Sequence, residues 1–108
     1  MKNYCKRDCN ALEVVDRLLQ SGIYLSRATK GRVVAQLCGL RLNLLNSLLL
    51  EEVGYTIEQL ISLYRVQHAS IFMREGIPYR KLFRYCGFGS LRELERAQQL
   101  IVNYHFFS

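Results

Sequence analysis

Residues 34–54 decide how this chain folds: Val34-Ala35-Gln36-Leu37-Cys38-Gly39-Leu40-Arg41-Leu42-Asn43-Leu44-Leu45-Asn46-Ser47-Leu48-Leu49-Leu50-Glu51-Glu52-Val53-Gly54. A short periodic stretch stops at a glycine, and a second stretch follows with polar residues at helical spacing. Glycine accepts the left-handed backbone that a tight turn between two helices requires. The pattern recurs: Cys86-Gly87-Phe88 repeats Cys38-Gly39-Leu40 and is followed by another helical run. Two helix-turn-helix patterns in a basic chain point towards duplex DNA.

The flanking sequence continues in helices. Asn10 with Glu13 three residues on is a helix start, and Val14, Val15, Leu18 and Leu19 share one face of the helix that follows. Gly22 ends it, and Tyr24 to Lys30 is a connector. Gly31 opens a short helix that stops at Gly39. Arg41 to Val53 forms the next, with Leu42, Leu45, Leu48 and Leu49 facing inward. Thr56-Ile57-Glu58-Gln59 is a capping box for a long helix to about Glu75. Pro78 suits the first turn of a helix ending at Cys86, and Ser90-Leu91-Arg92-Glu93 is a second capping box for a last helix to about Asn103. The segments are therefore an N-terminal extension (1–9), a helical domain (10–103) and an aromatic tail (104–108). No stretch alternates as a strand does.

Composition limits the function classes. Among 108 residues the charge is +6, with eight basic and five acidic side chains in residues 1–54 and seven and four in residues 55–108. An even split places the charge on folded faces rather than on a tail, and it favours a polyanionic partner. The longest apolar-looking run, Leu42 to Leu50, is interrupted by Asn43, Asn46 and Ser47 and is about half a membrane span. The N-terminal MKNYCKRDCN has no apolar core of a secretory signal, so a cytoplasmic protein with reduced thiols is expected. Cys5 and Cys9 would supply two corners of a zinc site, but no second Cys or His pair completes it, so no metal and no cofactor is expected. No catalytic arrangement is visible, and the chain is read as a non-enzyme.

The stretch from Val34 to about Arg96 resembles the DNA-binding domain of AraC/XylS-type bacterial transcription regulators. Four features carry the likeness. Ala35 with Gly39 matches the family's first turn, and Gly54 stands where the family closes its first recognition helix. Arg65 with Ala69 falls at the family's position in the linker helix, and Gly87-Phe88-Gly89-Ser90 is similar to its Gly-Phe-Ser-Ser turn. The resemblance implies an all-α fold: two helix-turn-helix subdomains joined by a long linker helix, each placing a recognition helix in the major groove. With about ten residues before the first helix, the closer likeness is to stand-alone members of the MarA and SoxS kind, which have no effector pocket. The chain departs from the pattern at Phe83, where the family has Ala, and at Leu94, where it has an aromatic residue. The family's closing segment has no counterpart after Gln98. A phenyl ring at Phe83 is expected to push the last helix outward.

On this reading Arg41, Asn43, Asn46 and Ser47 in the first unit, and Arg92 and Arg96 in the second, contact bases; Asn reads adenine and Arg reads guanine or a phosphate. Arg74, Arg80, Lys81 and Arg84 contact phosphates. Arg65, far in sequence from both turns, makes a structural contact. Double-stranded DNA is the expected partner; RNA polymerase, another regulator or a second copy of the chain are further candidates, and Leu91, Leu94, Phe106 and Phe107 would supply the protein contact. Leu44 and Leu50 fall off the core stripe and suit a protein surface better than a groove floor. They support an alternative: a degenerate AraC-like module that acts by protein–protein contact as a co-regulator, anti-activator or dimerisation partner.

Overall fold

The helix-start signals in the sequence are met by the side chains it supplies for them. The computed structural model describes the backbone of residues 10–107 and the side chains of residues 10–100. Asn10 caps α1 (Ala11–Leu19), its Oδ1 accepting from the Glu13 amide at 2.8 Å. The Thr56 box opens α4 (Ile57–Arg74): the Thr56 amide donates to Gln59 Oε1 at 2.9 Å, and the Gln59 amide donates to Thr56 Oγ1 at 3.2 Å. The Ser90 box opens α6 (Leu91–Phe107), with the Glu93 amide on Ser90 Oγ at 3.2 Å. Between these lie α2 (Gly31–Leu37), α3 (Leu42–Val53) and α5 (Leu82–Cys86), with single 3-10 turns at Ile23–Leu25 and Tyr79–Lys81. The described residues are all helical, without a strand. No single helix among them is long and apolar enough to cross a membrane.

One boundary differs from expectation. The last helix does not stop near Asn103 but continues to Phe107. No Gly or Pro follows Asn103 to end it. Cys5 and Cys9 lie outside the described residues, as do the side chains of Phe106 and Phe107.

The described chain divides into two compact units, residues 10–23 with 29–61 and residues 24–28 with 62–107. The first holds α1, α2, α3 and the start of α4. Its core is Val15, Leu19, Val34, Leu45, Leu49 and Ile57, all fully buried, and α3 packs on both α1 and α2. Each such side chain contributes about 1.5–3 kcal/mol by leaving water. In the second unit, Ala69 of α4, Leu82 and Cys86 of α5, Phe88 of the turn, and Leu94 and Ala97 of α6 form one buried cluster. Phe83 packs half-buried against it, while α6 keeps Leu94 and Ala97 inside. The ring thus finds room at the edge of this core, and the expected outward push has no counterpart in the burial of α6.

The two Cys-Gly-apolar triplets are the same structural device. Cys38 ends α2, Gly39 takes φ +74°, and the Leu40 amide returns to the Ala35 carbonyl at 3.0 Å. Cys86 ends α5, Gly87 takes φ +92°, and the Phe88 amide returns to the Phe83 carbonyl at 2.9 Å. This is the left-handed glycine closure that satisfies the last carbonyls of a helix. The two turns differ in crowding. A Cβ on Gly39 would meet nothing within 4 Å, whereas one on Gly87 would lie 2.8 Å from the carbonyl oxygens of Tyr24 and Leu25. Gly39→Ala therefore loses about 1–2 kcal/mol for the left-handed backbone alone. Gly87→Ala loses clearly more, because two backbone carbonyls must also move. Urea unfolding of the two variants checks this, and equal losses would show that the crowding at Gly87 has no energetic weight.

Candidate nucleic-acid interface

In the first unit, α2 and α3 turn by 93° across residues 38–41. The angle follows from the Gly39 closure and from α2 seating Val34 and Ala35 in the core while α3 seats Leu45 and Leu49. The buried stripe of α3 leaves an opposite face made of Asn43, Leu44, Ser47, Leu50 and Glu51, all exposed. Arg41, at the N-cap of α3, is exposed as well. Beside the start of α3 an open hollow of about 370 Å³ is lined by Lys30, Arg32, Val33, Leu42 and Glu58.

Asn46 has a different task from the one expected of it. It is half-buried, and its Oδ1 accepts from the Ile57 amide at 2.8 Å, so it satisfies a free N–H in the first turn of α4. With that oxygen engaged, Asn46 is not set for the two-bond adenine contact expected of it. Arg41, Asn43 and Ser47 remain together on the outer side of α3.

Two carboxylates act in the same manner over greater sequence distances. Glu52 accepts from the amides of Ala11 and Leu12 at 3.1 and 3.0 Å, capping α1 from α3. Glu58 accepts from the Gly31 amide at 2.7 Å and caps α2 from α4. Neither cap is legible in the sequence, because each amide belongs to another helix, and Lys30 and Arg32 lie next to α3. The sequence signal for them is the basic pair in Lys30-Gly31-Arg32, at the junction of the connector and α2.

In the second unit Arg74, Arg80, Lys81, Arg84, Arg92 and Arg96 are exposed. Lys81, Arg84 and Tyr85 line an open hollow of about 290 Å³, and the Arg84 guanidinium lies 5.7 Å from the Phe83 ring centre. Arg92 and Arg96 stand one turn apart at the start of α6. Glu93, between them, accepts from the Gly89 amide at 3.0 Å, which ties its charge to a helix end. Leu94 was expected at a protein contact. It is fully buried in the α6 core and is withdrawn from that role; Leu91 packs half-buried against the same cluster.

Arg65 is structural, as its position implied. Its guanidinium is buried, with Nε donating to the Tyr24 carbonyl at 2.6 Å and Nη2 to the Ser26 carbonyl at 2.9 Å. Burial pushes the Cys86 thiol up to about 11, against the opposing pull of Arg65. A thiol held protonated and out of solvent is a packing group rather than a nucleophile. Among the described residues no three His, Cys, Asp or Glu side chains come together as a metal site would need.

No protein-family model, no curated protein and no solved structure matches this chain.

The different positions of the two asparagines have a measurable consequence. Asn46→Ala strands the Ile57 amide and lowers stability by about 1–2 kcal/mol. Asn43→Ala, at an exposed site, stays within about 0.5 kcal/mol of the parent. Chemical denaturation of both variants tests the assignment, and a larger loss for Asn43→Ala would reverse it.

Proposed function

We propose that the chain is a DNA-binding transcription regulator of the AraC/XylS type, reading the major groove through helix-turn-helix units that share the long helix α4. The observation that carries this is the α2–α3 pair: two helices at 93° joined by a left-handed glycine turn, with Arg41, Asn43 and Ser47 exposed on the early part of the second helix. Recognition helices of this motif contact base edges through their N-terminal residues. Asn43 is the adenine reader, and Arg41 pairs with guanine or a phosphate. In the second unit Arg92 and Arg96 take the corresponding positions at the start of α6. Arg74, Arg80, Lys81 and Arg84 neutralise phosphates, and Lys30 and Arg32 do the same beside α3. The repeat of the glycine closure at Gly87 supports a second unit of the same kind.

A second reading has its own support. Leu37, Leu44 and Leu50 of the first unit are 57, 48 and 49 % exposed, and exposed leucines suit a protein partner. The two readings part in salt. A DNA reader binds random-sequence duplex with log affinity falling about 0.9 per phosphate neutralised as log salt rises, and Lys81→Ala or Arg80→Ala flattens that slope by about one unit. Asn43→Ala leaves this non-specific binding unchanged. Fluorescence anisotropy with a labelled random duplex at about 50 and 200 mM salt measures the slope. Absence of salt-dependent binding would favour the protein-contact module.

A further inference from the structure

Hydrogen-bonding readout leaves one feature of α3 unused. Asn43 and Leu44 are adjacent and exposed in its first turn, and Leu44 is 48 % exposed although it belongs to a helix with two fully buried leucines, Leu45 and Leu49. At 3.6 residues per turn, Asn43 and Leu44 flank Ser47, which points farthest from the Leu45–Leu49 stripe. The outer face of α3 thus offers a carboxamide, a hydroxyl and a branched alkyl group side by side. Exposed Lys30, Arg32 and Arg41 stand in the same unit, interspersed with Glu51, Glu52 and Glu58, and are the groups that would meet phosphates beside the face. One carboxylate shares the face. Glu51 lies seven residues beyond Leu44, about 10 Å along the helix, away from the first turn.

Only one kind of base pair answers both groups. In the major groove an A·T pair presents adenine N6 and N7, which a carboxamide engages together, and the thymine 5-methyl group, which takes an apolar contact. A G·C pair has no methyl group and offers no matching pair of atoms to Asn. Resting on the DNA-binding reading above, we propose that α3 selects A·T pairs, Asn43 through adenine and Leu44 through the thymine methyl. Leu44 is then a specificity-determining residue. Its exposure is the cost of a contact made only on DNA.

The test uses the full chain with three duplex polymers of equal length: alternating dA-dT, the same polymer with deoxyuridine in place of thymidine, and alternating dG-dC. Deoxyuridine removes only the 5-methyl group. The parent chain binds dA-dT tighter than dA-dU by about fourfold per methyl buried, the equivalent of about 0.8 kcal/mol for a group of that size, and binds dG-dC more weakly than dA-dT. Leu44→Ala binds dA-dT and dA-dU alike, with a parent-like circular dichroism spectrum. Leu37→Ala, at another exposed leucine, keeps the parent's preference. Equal binding of dA-dT and dA-dU by the parent, with a steep salt dependence, overturns the proposal and leaves the DNA-binding reading intact. A preference for dG-dC, or an unchanged thymine preference in Leu44→Ala, also overturns it. No binding to any of the three polymers overturns both.

Discussion

The second unit depends on one buried guanidinium. Arg65 projects from α4 and spends its donors on the carbonyls of Tyr24 and Ser26, while its charge lies 5.7 Å from the centre of the Phe88 ring. A buried cation is tolerated only when its donors are satisfied, and the planar fork of Arg meets two backbone carbonyls as a Lys ammonium would not. The consequence passes along the chain. Arg65 fixes the connector, and the connector carbonyls of Tyr24 and Leu25 crowd the position where Gly87 would carry a Cβ. Gly87 then sets the turn from which α6 departs. The placement of Arg92 and Arg96 therefore begins at Arg65.

The first unit is held by a different device, the exchange of side-chain caps between helices. Glu52 on α3 caps α1, Glu58 on α4 caps α2, and Asn46 on α3 caps the start of α4. Each places an acceptor against the partial positive charge of a helix N-terminus, where anions are favoured. Glu52, Glu58 and Glu93 are thereby held at helix ends with their charges retained.

What was legible in the sequence was local. The Asn10, Thr56 and Ser90 caps and both glycine closures depend on residues within one or two turns and appear as expected, while of the expected stripe Leu42, Leu45, Leu48 and Leu49 the second and fourth are fully buried and the other two half-buried. What was not legible depended on residues far apart in the chain. Asn46 looked like a groove-facing polar residue because the amide that claims it belongs to the next helix. Glu52 and Glu58 looked like solvated charges for the same reason. The expectation of Leu94 at a protein contact goes with a last helix pushed outward by Phe83, although Leu91, Leu94 and Ala97 have the spacing of a buried face. Phe83 was judged by volume alone, whereas the structure seats its ring at the rim of the cluster.

On the proposed reading, the early turns of α3 form the surface that meets DNA. The most direct measurement is a two-dimensional ¹⁵N–¹H spectrum of the full chain, recorded as an A·T-rich duplex is added. The expected result is that the amides of residues 41–47 shift most, together with those around Arg80 to Arg84, while the amide of Arg65 and those of the buried α1 residues stay in place. Shifts confined to other surfaces, or none at a duplex excess that saturates binding, would contradict the claim.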